Sequence, residues 1–236
     1  MQMVYGKNMM KLQKPTKQNL IDLLLTLPAA VSCGIGSGLI NAAGFGMDAI
    51  GVFYDGVRTL LKLSPEQIGT ASYVVCAAIS AFLLIFGWKN HYVSVGSVVY
   101  LVFYGFSANL GSVLGFRMTA DGQLFLRILC DVLGFAMLYL GLTVYITVDI
   151  GVDAFTGLML FICDKTKGSM KLVKILFDLA LFIIGILMGG TFGVMSVVCI
   201  VIGGPVLSFL TARAQKLYFK HSLKEVQEEP QDKKPE

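Results

Sequence analysis

The chain has 236 residues, of which 56% are hydrophobic and 14% charged, and its formal net charge is +4. The charged fraction is about half that of a soluble globular domain, which excludes a large water-soluble domain and predicts an all-α integral membrane protein. The positive residues lie beside apolar segments, where they set membrane orientation, so we expect the lipid bilayer and not nucleic acid as a partner.

The first half of the chain contains a basic segment, three predicted spans, one short segment and an external loop. A basic segment of residues 1–19 precedes a first span, predicted at about residues 20–43. The next segment, about 49–63, is too short and too polar to cross a bilayer, since a crossing takes about 20 apolar residues. Spans two and three are predicted at about 65–88 and 92–114, and residues 115–122 form an external loop.

The second half has the same order of segments. A fourth span is predicted at about 123–148, a short segment at 153–164, and the last two spans at 170–188 and 192–211. A charged tail follows, and its residues from 224 to 236 have too little apolar content to fold. The expected layout is a cytoplasmic segment 1–19, a first membrane repeat 20–114, the loop 115–122, a second repeat 123–212 and a partly disordered cytoplasmic tail 213–236.

One stretch occurs twice. Gly46-Met47-Asp48-Ala49 returns 105 residues later as Gly151-Val152-Asp153-Ala154, and the same shift places Gly141 on Gly36. Beyond a slip of six residues, the last helix of each half matches at a shift of 99. The pattern predicts two copies of one unit, each with a short helix that does not span.

Lysines and arginines give the orientation of the two copies. With a cytoplasmic N-terminus and three crossings per copy, the inner side collects seven of these residues: Lys89, Lys165, Lys167, Lys171, Lys174, Arg213 and Lys216. The outer side holds three, namely Arg58, Lys62 and Arg117. This asymmetry follows the positive-inside rule and predicts six spans in two inverted repeats with both termini cytoplasmic.

The two motif aspartates are the first candidates for a substrate or ion site. Asp48 and Asp153 each follow a glycine, Gly46 or Gly151, and precede a helical run. One interpretation is an N-cap that accepts hydrogen bonds from exposed amides. The other is a site for a cation, a proton or a solute, as in transporters with interrupted helices, and the two are compatible.

Two further acids lie within predicted spans, where an ionised carboxylate costs at least about 2.5 to 3.5 kcal/mol unless it is paired or hydrated. Asp131 has Arg127 one turn earlier, and Asp178 has Lys174 one turn earlier, so an ion pair is the alternative to a functional role in each case. Asn41 is a weaker candidate, for which packing is the simpler explanation.

Enzyme templates are absent from the sequence. It has no phosphate-binding GxxxxGKS/T, no HExxH and no Gly-x-Ser-x-Gly elbow. The two histidines and the five scattered cysteines give no metal-ligand spacing. We therefore expect no catalytic residues, no metal site and no cofactor.

Several motifs resemble a known family over about residues 20–212. In the first half these are Gly46-Met47-Asp48-Ala49, Leu63-Ser64 and Gly87-Trp88; in the second they are Lys165-Thr166-Lys167-Gly168, Gly190-Thr191-Phe192-Gly193 and Gly203-Gly204-Pro205. This pattern is similar to YczE/YitT-type bacterial membrane proteins. The resemblance implies a six-helix protein of the bacterial cytoplasmic membrane with suspected transport. Met195 replaces an expected glycine, and Asp178 an expected glutamate.

These observations favour a secondary transporter of a small molecule or ion. The alternative is a membrane partner that does not transport, such as the substrate-binding subunit of a larger complex. The sequence is compatible with a homo-oligomer.

Overall fold

A computed structural model describes residues 17–86, 95–148, 153–167 and 170–228. These residues are helical apart from short connections, as predicted. The first half contains four helices, α1 Lys17–Ala43, α2 Ala49–Leu60, α3 Ile68–Phe86 and α4 Val95–Met118. The second half contains α5 Leu124–Val148, α6 Ala154–Thr166, α7 Met170–Leu187, α8 Val194–Val198, a π-helical turn Cys199–Gly203 and α9 Gly204–Glu228.

The last helix differs from its prediction in two ways. It is divided into α8, the π-helical turn and α9, because Pro205 has no amide hydrogen and its ring conflicts with a regular helical bond to Val201. It also continues to Glu228, so residues 224–228 are helical where a disordered tail was predicted. Lysine, glutamate, glutamine and leucine are good helix formers, and a helix already begun extends through them at little cost.

Five helices of the described residues are long and apolar enough to cross a membrane. Their candidate spans are Leu24–Ala43, Ile68–Phe86, Ser97–Met118, Leu124–Val148 and Val194–Leu217. α7 was predicted as a further span but is not one of these five. Its 18 residues include Lys171, Lys174 and Asp178.

Glycines bring α1 and α5 into backbone contact. A Cβ added to Gly36 would lie 2.5 Å from the Gly134 carbonyl oxygen, and one added to Gly141 would lie 2.7 Å from the Ala29 carbonyl oxygen. As residue numbers rise along α1, the numbers of the contacting residues fall along α5, so the two helices are antiparallel. At the middle of the contact, Ser32 Oγ donates to the carbonyl oxygen of Met137 at 2.8 Å, across a separation of 105 residues.

α4 lies on another side of α1 and runs parallel to it. Gly34 faces Tyr104 and Ser107, and Gly38 faces Ser112. α3 is antiparallel to α4, because Gly69 faces Gly105 while the hydroxyl of Tyr73 donates to the carbonyl oxygen of Val102 at 2.6 Å. Thus α1 and α4 share one direction, and α3 and α5 have the opposite one. The short helix α2 connects α1 to α3 without crossing the bundle.

Each short helix packs on a long helix from the other half of the chain. α2 lies against α7, where a Cβ on Gly56 would be 2.5 Å from the Gly185 carbonyl oxygen. α6 lies against α3, where the Phe161 and Phe82 ring centroids are 5.6 Å apart. The main hydrophobic core joins α2 and α6 through Tyr54 and Phe155, whose ring centroids are 5.5 Å apart.

We predict that Gly36→Ala lowers the stability of the folded protein, whereas Gly204→Ala does not. The added methyl at Gly36 meets backbone that cannot rotate away, and overpacking of this kind costs about 1 to 3 kcal/mol. No heavy atom lies within 4 Å of the position of a Cβ at Gly204. Thermal unfolding of both variants in mild detergent measures the difference. Equal midpoints would show that the glycine contact does not hold α1 and α5 together.

Candidate functional site

Both motif aspartates are N-caps, which confirms that interpretation of their position. Asp48 precedes α2 in an extended conformation, and its Oδ1 accepts a hydrogen bond from the Gly51 amide at 3.2 Å. Asp153 precedes α6 in the same conformation and accepts from both the amide, at 3.2 Å, and the hydroxyl of Thr156. Each carboxylate therefore lies at the positive end of a short helix, where a negative charge is stabilised.

The loop before α2 is fixed to the start of α8. Gly46 has a φ of +101°, and a Cβ there would lie 2.5 Å from Ser196 Oγ. The amide of Met195 donates to the carbonyl oxygen of Phe45 at 3.0 Å. Glycine is required at position 46 both by its left-handed backbone and by this close approach. Gly151, the equivalent residue of the second copy, lies outside the described residues.

Asp48 lies close to the charges of α7. Burial raises the pKa of Asp48 above its ordinary value of 3.8, the Gly51 amide lowers it, the Asp178 carboxylate raises it and Lys174 lowers it. Lys174 Nζ and Asp178 Oδ2 are 3.0 Å apart, which confirms the predicted ion pair. Two sequence candidates, Asp48 and Asp178, are thus brought together at the junction of α2 and α7.

Asp153 faces a cluster of aromatic side chains instead. Burial raises the pKa of Tyr54 well above its ordinary value of 10.0, and the charges of Cys76, Tyr104 and Asp153 add to this effect. The Tyr104 ring stacks on Tyr100, with centroids 5.5 Å apart. The second motif aspartate is therefore beside a phenol-rich interior and not beside an ion pair.

Asp131 has a different environment from the other acids. It is 4% exposed, and its Oδ1 has no hydrogen-bond partner among the described residues. The predicted ion pair with Arg127 is wrong. Arg127 Nε donates to the carbonyl oxygen of Ala43 at 2.9 Å, and its guanidinium carbon lies 4.8 Å from the centroid of the Phe45 ring. Arg127 therefore caps the C-terminal end of α1.

Asn41 has a packing role, as the simpler interpretation expected. Its side-chain amide donates to the carbonyl oxygen of Pro65 at 2.8 Å and to Ser112 Oγ at 3.3 Å. These bonds tie α1 to the start of α3 and to α4. Its hydrogen-bonding capacity is largely used within the bundle.

Asp55 is a buried acid that was not chosen from the sequence. It is 1% exposed, its Oδ1 lies 2.6 Å from Arg58 Nε, and its Oδ2 accepts from the Thr191 amide at 2.7 Å. Arg58 also donates to the carbonyl oxygen of Leu63 at 3.2 Å. The signal in the sequence was an acid and an arginine three residues apart on a short apolar helix. This network fixes α2 to the chain that follows α7.

Among residues 17–86, 95–148, 153–167 and 170–228, no group of three or more histidine, cysteine or acidic side chains could hold a metal ion. The interior instead offers carboxylates, phenols and hydroxyls. Such groups can bind a cation or a polar solute, or carry a proton. The two capping aspartates supply negative charge at two separate positions, one near an ion pair and one near aromatic rings.

Comparisons with known proteins identify relatives but no activity. The family described as "Family of unknown function (DUF6198)" matches residues 20–212. An "Uncharacterized protein" of Haemophilus influenzae (strain ATCC 51907 / DSM 11121 / KW20 / Rd) is 25% identical over 182 residues, which cover 75% of this chain and 77% of the relative. No solved structure matches the chain.

We predict that replacing either capping aspartate by alanine destabilises the protein by about 1 kcal/mol, whereas asparagine preserves the cap. The raised pKa of Asp48 means that the folded state holds its proton more tightly than the unfolded state does. The contribution of Asp48 to stability therefore falls as the pH rises above 3.8, and Asp48→Asn removes this loss. Thermal unfolding of Asp48→Ala and Asp48→Asn between acid and neutral pH tests both points. Equal damage by the two substitutions would contradict the capping role.

We also predict that Asp55→Asn is far more destabilising than Asp178→Asn. The Asp55 and Arg58 side chains are 1% and 15% exposed, and removing one partner of a buried pair costs about 3 to 5 kcal/mol. The Asp178 and Lys174 side chains are 36% and 61% exposed, and such pairs contribute about 0 to 1 kcal/mol. Unfolding midpoints in one detergent give the comparison. A larger loss for Asp178→Asn would overturn this ranking.

Proposed function

Since the chain belongs to the DUF6198 family, whose function is unknown, we propose from its geometry that it is a secondary transporter of a small molecule or ion. The observation that carries this proposal is the pair of short helices, each capped by a half-buried aspartate. Discontinuous helices whose N-termini meet a solute are a recurring design of secondary transporters.

The antiparallel contact of α1 and α5 supports an inverted repeat. The predicted shift of 105 residues relates the Gly36–Gly134 contact to the Ala29–Gly141 contact, and it relates Ser32 to its own hydrogen-bond partner, Met137. A residue contacts its own equivalent only near a two-fold axis. Because the two helices are antiparallel, this axis would lie in the plane of the membrane, as it does in transporters with inverted repeats.

A six-span arrangement in a bacterial cytoplasmic membrane is part of the proposal. Five helices satisfy the length and composition of a span, and α7 would be the sixth, with its Lys174–Asp178 pair reducing the cost of both charges. The resemblance to YczE/YitT-type proteins and the bacterial source of the relative favour this membrane, with both termini on the cytoplasmic side. The YczE/YitT relationship stays a prediction.

The two short helices would supply different parts of a transport cycle. The Asp48 carboxylate near Lys174 and Asp178 suits a coupling ion or a charged solute group, because its electrostatic environment changes if α7 moves. The Asp153 carboxylate beside Tyr54 and Tyr100 suits a solute with a cationic or hydrogen-bonding part. Movement of one repeat against the other would expose these groups to alternate sides.

We predict solute-dependent or pH-gradient-dependent flux in proteoliposomes that contain the purified full chain. Asp48→Asn and Asp153→Asn keep their caps but lose a charge. Since a hydrogen bond to a charged group contributes about 1.5 to 3 kcal/mol, each should slow flux by about ten- to a hundredfold. An interior pH-sensitive dye, an imposed pH gradient and a broad panel of small solutes give the measurement.

Asp121→Asn is the matched control for this experiment, because Asp121 is exposed in the turn between α4 and α5. It should transport like the unmodified protein. A folded protein that shows no flux with any solute or gradient would contradict the transport proposal. Co-purification of a stable companion in mild detergent would favour the membrane-partner alternative.

A further inference from the structure

Asp131 is the acid of the membrane interior that the transport proposal does not use. It lies on α5 within the candidate span Leu124–Val148, about two turns from its start. Since the side chain is 4% exposed, protein and not lipid surrounds it. Its Oδ1 is without a hydrogen-bond partner among the described residues.

Arg127, the cation that precedes Asp131 on α5, forms no ion pair with it. Arg127, one turn away on the same helix, is engaged with the carbonyl oxygen of Ala43 and the Phe45 ring. Two thiols also lie within electrostatic reach of Asp131, Cys130 on α5 and Cys199 on the π-helical turn. Thiols are poor hydrogen-bond donors and carry no positive charge.

In the described part of the chain, the other elements near Asp131 form no ion pair with it. The charged residues of α1, Lys17 and Asp22, lie at the opposite end of that helix from Ala43, which is bonded to Arg127. Arg117 of α4 is exposed. The first cation of α9, Arg213, comes about four turns after Cys199, and its guanidinium carbon lies 4.4 Å from the centroid of the Phe209 ring.

Asp48 and Asp131 both lie within electrostatic reach of Cys199 on the π-helical turn. An ionised Asp131 would therefore be a buried charge without an ion-pair partner among the described residues. A protonated Asp131 avoids the cost of an ionised group at this depth. π-helical turns within α-helices are frequent at functional sites, where a local change of winding moves a side chain or a carbonyl group.

We propose that Asp131 is the carrier of the coupling proton, held protonated in the conformation described and released when α5 separates from the π-helical turn, at the contact of Tyr139 with Gly203, and admits water. In that step the O–H bond of the carboxylic acid breaks, the proton passes to water, and the carboxylate gains hydration. The inference rests on the proposed transport function and assigns the proton as its coupling ion. It assigns the coupling role to Asp131 in place of Asp48, whose carboxylate already accepts a hydrogen bond from the Gly51 amide.

Infrared difference spectroscopy of the full chain in liposomes tests the protonation state of Asp131, and it requires no measurement of flux. At neutral pH, the unmodified protein should show the carbonyl band of a protonated carboxylic acid, and Asp131→Asn should lose that band. Asp178→Asn is the matched control and should keep it. Asp131→Glu should retain a carboxylic acid band at a shifted position, which keeps the test valid if the asparagine variant does not fold.

Absence of the band from the unmodified protein, or its persistence in Asp131→Asn, would overturn the inference. A sodium-dependent rise in the unfolding midpoint that Asp131→Asn abolishes, together with no band, would identify a metal cation in place of the proton. Loss of all flux with the band still present would contradict the transport function and leave the assigned protonation state intact, so the two failures are distinguishable.

Discussion

The backbone contact between α1 and α5 is the constraint on which the remaining packing depends. Where Gly36 meets Gly134 there is no side chain between the helices, so their separation is set by main-chain atoms. α1 also packs closely on α4 through Gly34 and Gly38, which places α1 between two neighbours. The hydrophobic effect does not drive membrane helices together, because lipid tails are as apolar as the helices. Close approach of the backbones instead provides dispersion contacts that hold the helices together. Once α1 is fixed, the direction of each long helix and the position of each short helix follow from chain connectivity.

The buried and half-buried acids differ in how far the fold stabilises them, and the difference separates structure from proposed function. Both carboxylate oxygens of Asp55 have partners, since Arg58 pairs with one oxygen and the Thr191 amide donates to the other. Asp48 and Asp153 each meet the exposed amides of a helix end, which stabilises their charge in part and leaves them able to take another ligand. The buried Oδ1 of Asp131 has no hydrogen-bond partner among the described residues. A group that the fold does not satisfy is the one most affected by a change of conformation or by a proton.

Much of the fold and part of the candidate site were predictable from local chemistry. The helix boundaries follow from apolar length and from glycine, proline and charge at the ends, and the capping aspartates follow from their place after a glycine and before a helical run. The Lys174–Asp178 pair was also predictable, because its spacing of four residues places both side chains on one face of a helix. The same rule failed for Arg127 and Asp131, because the end of α1 offers Arg127 a carbonyl and an aromatic ring from a distant part of the chain. For Asp55 the rule indicates only the nearby Arg58, because the second partner, the Thr191 amide, is 136 residues away.

The sequence by itself determined that this is an all-helical chain with long apolar helices, two short helices with capping aspartates, and acids at depths where charge is costly. These are properties of local composition and spacing, which act within a few residues along the chain. Only the tertiary structure decided which acids are satisfied, since each partner that matters comes from another helix. Packing placed Asp48 within electrostatic reach of the charges of α7, Asp153 within reach of tyrosine side chains, and Asp131 within reach of a thiol on the π-helical turn. Burial and partnership depend on contacts between distant segments, and so the chemical role of each carboxylate is a property of the fold.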